Sequence, residues 1–141
     1  MVWIVLGQSP AAMAWWDRER AQGAHFAGSQ MLDLELTRAI RNKELAGLLR
    51  PGQVRVDDYL DEFDLFKVTA GLLDEAKDLG VIVGGADSLH IAAAMRAGTD
   101  AVAVVTHDRQ MATAAAALGF EVFDPVTDDP RREALAGKVT S

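Results

Sequence analysis

Short apolar runs alternate with helical stretches along this chain, and that alternation constrains the fold more than any single residue does. Ala101–Val105 is continuously apolar, the pattern of a strand buried on both faces. It lies between two alanine-rich helical stretches, Ala86–Ala97 and Met111–Leu118, each followed by a glycine, Gly98 or Gly119. The same rhythm places strands at Val2–Leu6, His25–Gly28, Leu65–Val68 and Glu121–Phe123. Helices are expected from Pro10 to about Gln22, from a Ser29 cap to about Leu49, over Leu72–Leu79, and as a helix or loop from Asp57. Strands separated by helices become parallel neighbours through crossover connections. The expected architecture is therefore α/β, a three-layer domain with a mainly parallel central sheet flanked by helices. With 141 residues and no repeat or linker, one domain over residues 1–126 and a polar tail over residues 127–141 account for the chain.

Composition narrows the chemistry. Cysteine is absent, which excludes disulfide frameworks, cysteine-ligated zinc and thiol nucleophiles, and agrees with a reducing cytoplasm. Val2–Leu6 is too short for a membrane span and lacks the basic flank of a signal sequence. A net charge of −7 argues against a protein that coats nucleic acid through a broad basic face. The charge is uneven, however: residues 1–55 hold seven bases against five acids, so the excess acid lies in the rest of the chain. The densest acidic run, Asp57, Asp58, Asp61, Glu62 and Asp64, reads as a solvated face.

Three carboxylates stand in places that need explaining. Glu35 shares its helix with Met31, Leu32, Leu36, Ala39 and Ile40, which sets it at the margin of the face that packs on the sheet. Arg38, three residues on, is positioned to pair with it. Asp87 falls in the first turn of the Ala86–Ala97 helix, and Asp108 just past the C-terminal end of the Ala101–Val105 strand. Either aspartate alone is explained as a helix cap, worth about 1 kcal/mol. Three carboxylates at one carboxyl edge would repel one another by about 3 kcal/mol per pair at ~5 Å and an effective dielectric of ~20. A hard divalent cation, Mg²⁺ or Mn²⁺, removes that repulsion, lowers the pKa of a bound water and stabilises charge developing on a cleaved phosphodiester.

Three segments together resemble the PIN domains of VapC-type toxins. Ser29-Gln-Met-Leu-Asp-Leu-Glu35-Leu-Thr-Arg38 is similar to the family's serine-led helix with its internal acid. Asp87-Ser-Leu-His90-Ile-Ala-Ala-Ala resembles its D-x-x-H-x-A-x-A helix. Val105-Thr106-His107-Asp108, with Leu118-Gly119-Phe120 downstream, resembles its closing motif. The resemblance implies a metal-dependent endoribonuclease acting on structured RNA such as tRNA, with Glu35, Asp87 and Asp108 as catalytic and metal residues. Ser29, Arg38, His90 and Thr106 would support the site or the substrate. It also implies a VapB-type antitoxin as partner, and a homodimer.

One family element has no counterpart. The family opens with a central strand ending in an aspartate, and nothing before residue 17 here is acidic. In one alignment Val2–Leu6 is that strand and Gly7-Gln8-Ser9 replaces the acidic turn. In the other, favoured by spacing, Val2–Gly7 matches the helix after the strand and the strand itself lies outside these residues. Losing a central strand would orphan backbone groups on both neighbours, so Val2–Leu6 is expected to fill part of the gap unless the natural start lies upstream. The rival reading is a non-catalytic PIN-like module that still binds an antitoxin or a second subunit. A Rossmann-like phosphate-binding domain ranks third, because Gly84-Gly85 precedes a helix without a G-x-G-x-x-G pattern. Among the remaining residues, Thr106 is expected to form a turn, His90 to be packed and hydrogen-bonded, and His107 to face solvent. Trp15 and Trp16, about 100° apart on one helix, are expected to leave one ring partly exposed as an anchor for a partner.

Overall fold

In a computed structural model, residues 10–127 are described and form a mixed α/β arrangement. The order is α1 (Pro10–Ala21), β1 (Phe26–Ser29), α2 (Met31–Leu45), α3 (Asp57–Leu60), β2 (Phe63–Phe66), α4 (Ala70–Lys77), α5 (Gly85–Ala97), β3 (Ala103–Val105), α6 (Arg109–Ala117) and β4 (Glu121–Phe123). Val2–Leu6, expected as a strand, and most of the expected polar tail lie outside the described residues. Among the described residues no helix is long and apolar enough to cross a membrane.

All strand pairing is parallel, as the helix-between-strands pattern requires, but it forms two separate two-stranded sheets. β1 pairs β2 from Phe26↔Phe63 to Ser29↔Phe66, and β3 pairs β4 from Ala103↔Glu121 to Val105↔Phe123. Helix α5 lies against β1 and α4, burying Leu89, Ala92 and Ala93 with Leu72 and Ala76. From the same helix Ile91 is buried with Val104, Ala114, Ala115 and Phe120. Its alanines let neighbouring backbones approach closely, so one helix serves both half-sheets.

Several boundaries differ from those expected, for local reasons. Helix α2 ends at Leu45 rather than near Leu49, because Gly47 takes φ = 74° and the Leu48 N–H closes back on the Lys43 carbonyl at 2.9 Å. That is a Schellman closure, which needs the left-handed residue that glycine supplies. Pro51-Gly52 is therefore not the breaker. β2 starts two residues earlier than expected, since its pairing with β1 stops at Phe66 and the Val68 N–H donates instead to Gln30 Oε1 at 3.2 Å. Helix α4 starts at Ala70 because Thr69 caps it, its Oγ1 accepting from the Leu72 N–H at 3.1 Å.

The tryptophans correct the expectation of an exposed ring. Both are 3% exposed. Rings 100° apart are both buried because α1 is enclosed on two sides: Trp15 meets Phe26 and Phe123, while Trp16 stacks at 5.6 Å on Phe63 and lies 4.4 Å from Phe26. Neither ring is free to anchor a partner. The acidic run from Asp57 to Asp64 is exposed, with Glu62 paired to Arg20 at 2.7 Å.

Candidate active site

The sequence-expected acids reach a common cleft of about 320 Å³. Glu35 comes from the second turn of α2, Asp87 from the first turn of α5, and Asp108 from the cap of α6 directly after β3. All three line the cleft together with His90 and Thr106, and the rest of its wall is mainly apolar. The C-terminal ends of β1 and β3 meet here: His90 bonds to Ser29, the last residue of β1, while Asp87, one turn earlier on α5, feels the charge of Asp108 beyond β3.

Each acid is held differently. Asp108 Oδ1 accepts from the Met111 N–H at 3.0 Å, so Asp108 is the α6 cap, and its own N–H donates to Thr106 Oγ1 at 3.1 Å. Thr106 is buried and thus shapes the turn that delivers Asp108. Asp87 corrects the capping explanation, because Gly84 occupies the cap position of α5 and Asp87 lies inside the first turn. Burial, then the negative charge of Asp108, push its carboxyl above the ordinary value; His90 opposes the shift and Glu35 adds to it. The three carboxylates share the lining of one cleft.

Glu35 belongs to a three-residue chain. His90 Nε2 lies 2.5 Å from Glu35 Oε1, and His90 Nδ1 lies 2.9 Å from Ser29 Oγ and 3.4 Å from the Ser29 N–H. A backbone N–H only donates, and Ser29 Oγ already accepts from the Met31 N–H at 3.3 Å. Both Ser29 groups therefore donate to Nδ1, which leaves the ring proton on Nε2, donating to Glu35. Ser29 is fully buried, so its hydroxyl fixes this tautomer rather than reaching the cleft. It is also not the α2 cap, a position taken by Gln30 without a side-chain bond. Ser29 and His90 are 61 residues apart, and nothing local in the sequence announces the pair.

Two sequence readings are corrected. Arg38 does not pair with Glu35: it is exposed, and its Nη2 donates to Asn42 Oδ1 at 3.0 Å, along the helix and away from the cleft. His107 is half-buried rather than solvent-facing, and its Nδ1 lies 3.0 Å from Asp124 Oδ2. Asp124, just past β4, was not singled out by the sequence pattern, although an acid at a strand's carboxyl end is the signal that picked out Asp108. Burial alone would raise its carboxyl, yet hydrogen bonds from His107, the Val126 N–H and Thr127 hold it below its ordinary value.

For a cation, the donor chemistry fits one class of site. Among the described residues no three His, Asp or Glu side chains stand together as a ready-made cage. Glu35 and Asp108 each commit one oxygen to a protein donor and keep the second. This suits Mg²⁺ or Mn²⁺ held by one or two carboxylates with its remaining positions filled by water. Comparison with known proteins finds no family model, no curated protein and no solved structure that matches this chain.

Proposed function

We propose that the chain is a PIN-like, metal-dependent endoribonuclease of the VapC toxin type, with Glu35, Asp87 and Asp108 as its acidic site. One observation carries the reading: three carboxylates on three separate elements line a single cleft at strand carboxyl ends, where burial and then the charges of Asp108 and Glu35 raise the Asp87 carboxyl. Such a cluster is costly without a positive ligand. When bound, a divalent cation supplies an activated water and charge stabilisation at a phosphodiester. The chain's own residues orient the acids: His90 engages one Glu35 oxygen and leaves the other, Ser29 fixes the His90 tautomer, and Thr106 holds the turn that carries Asp108. The wider reading includes a three-layer PIN-like sheet, a structured RNA substrate such as tRNA, a VapB-type antitoxin, a homodimer and a cytoplasmic setting.

The lack of a ready-made three-ligand group among the described residues favours the second reading, a PIN-like module that binds a partner without cleaving. Two measurements separate them. RNA cleavage that requires Mg²⁺ or Mn²⁺ and disappears in Asp87→Asn supports the nuclease. No heat on calorimetric titration with millimolar Mn²⁺, together with no cleavage at any protein concentration, rejects it.

A further inference from the structure

We propose that Lys67 and Arg109 form a cationic rim on the acid cleft and grip the phosphates of an RNA strand on either side of the bond presented to Glu35, Asp87 and Asp108. The choice of RNA rests on the ribonuclease reading; the rim itself does not. The cleft needs such a rim. Among the described residues its lining holds three carboxylates and His90 but no lysine or arginine, and His90 is already engaged by Glu35 and Ser29. A polyanion is therefore repelled by the acids themselves, and the charge that draws it in must stand just outside.

Both cations stand there. Lys67 directly follows β2, and the backbone on either side of it is fixed: the Phe66 carbonyl accepts from the Gln30 N–H at 2.8 Å, and the Val68 N–H donates to Gln30 Oε1 at 3.2 Å. Phe66 lines the cleft, and Gln30 holds the cap position of α2, the helix that carries Glu35. Lys67 is thus held at the carboxyl end of one half-sheet, beside the start of that helix. Arg109 directly follows Asp108 past the carboxyl end of β3 in the other half-sheet, and both Asp108 and Met111 line the cleft. Each half-sheet contributes one cation at the edge where the acids collect.

Their charges are uncommitted. Both side chains are exposed, and neither forms an ion pair among the described residues, whereas Arg20, Arg41, Lys77 and Arg96 each pair with a carboxylate. Helix stability does not account for Arg109, which opens α6 where the helix dipole presents its positive end and disfavours a cation. A guanidinium there matches a phosphate with two parallel N–H donors, and the Lys67 ammonium supplies a point charge. Contacts of this kind fall on the sugar-phosphate backbone and carry no base preference. Arg50 and Arg55 are also exposed, but they lie between the far end of α2 and α3, which leads into the amino end of β2. They provide the control.

The test measures binding without cleavage. With EDTA present, the fluorescence anisotropy of a fluorescein-labelled oligouridylate gives the Kd of the full chain across a range of salt. For a single strand each phosphate contact contributes about 0.7 to the slope of log Kd against log salt. Lys67→Gln/Arg109→Gln should lower that slope by about 1.4 and weaken binding about 50-fold at ~50 mM salt, the curves converging near ~1 M. Because both side chains are exposed, this variant should melt with the parent. Lys67→Arg/Arg109→Lys should keep the parent slope, and Arg50→Gln/Arg55→Gln, which removes the same two charges elsewhere, should stay within about 0.3 of it. An unchanged slope in Lys67→Gln/Arg109→Gln, an equal fall in Arg50→Gln/Arg55→Gln, or no binding by the parent overturns the proposal. So does equal or tighter binding of a labelled polyglutamate, which would make the rim a seat for an acidic polypeptide. If the slope falls as expected but Mn²⁺ brings no cleavage, the rim stands and the ribonuclease reading alone fails.

Discussion

Replacing His90 with phenylalanine tests whether the Ser29–His90–Glu35 chain is a coupled unit. The substitution leaves the fully buried Ser29 hydroxyl without the acceptor it has at 2.9 Å. A buried polar group left unsatisfied costs about 1–3 kcal/mol. The Glu35 end costs less, because its side chain is 38% exposed and water can replace the lost donor, so about 0.5 kcal/mol is reasonable there. The sum is about 2 kcal/mol, or about 6–8 °C in Tm for a domain of this size. The sharper readout is Ser29→Ala in both backgrounds. In the parent chain it should cost about 1 kcal/mol, the worth of an ordinary hydrogen bond. In His90→Phe it should be neutral or stabilising, since it removes an orphaned hydroxyl. Urea unfolding at unchanged m gives the four free energies of the cycle. If Ser29→Ala destabilises both backgrounds equally within about 0.3 kcal/mol, the two residues are not coupled and the tautomer argument fails.

Three further outcomes follow from local geometry. Asp124→Asn should lower stability at neutral pH: its carboxyl is held below the ordinary value near 3.8, so its contribution is present above that pH and lost as pH falls through the lowered value, where mutant and parent thermal melts should converge. Asp87→Asn should do the opposite without metal, because a raised carboxyl penalises the folded state once ionised; the mutant should melt higher at pH 7 and equal to the parent below about pH 4. Thr69→Ala removes the α4 cap and should cost about 1 kcal/mol in urea unfolding without altering metal binding.

What could be read in advance was whatever depends on local pattern. The mixed α/β class, the glycine stops after α1, α5 and α6, and the α6 cap at Asp108 all follow from period, backbone freedom and short-range hydrogen bonding; Gly98 and Gly119 do adopt positive φ, 101° and 96°. What could not be read depended on partners distant in sequence. Nothing near Trp16 says that Phe63 will cover it, and nothing near His90 says that Ser29 will set its tautomer. Arg38 failed for a related reason: helical spacing places it within reach of Glu35, but Asn42 lies equally near and His90 already occupies the carboxylate. Asp124 was legible by the rule that selected Asp108 and was missed because the apolar run before it is only Val122–Phe123, whereas Ala101–Val105 announces β3.

Among the three acids, Asp87 is the one whose charge is least relieved by the protein. Glu35 accepts from His90 and Asp108 from the Met111 N–H, whereas the Asp87 carboxylate has no side-chain hydrogen bond among the described residues. Its place in the first turn of α5 gains the helix dipole, about 0.3–1 kcal/mol, and its carboxyl is raised nevertheless. Burial and the neighbouring charges therefore outweigh the dipole, and a cation entering the cleft would act first on this residue. Two melting curves should cross as a result. Without metal, Asp87→Asn melts above the parent; with rising Mn²⁺ the parent gains, by about 2.7 kcal/mol at a hundred times its Kd, while the mutant gains little. Parallel curves, with Asp87→Asn stabilised by Mn²⁺ as much as the parent, would show that the acids share a cleft without sharing an ion.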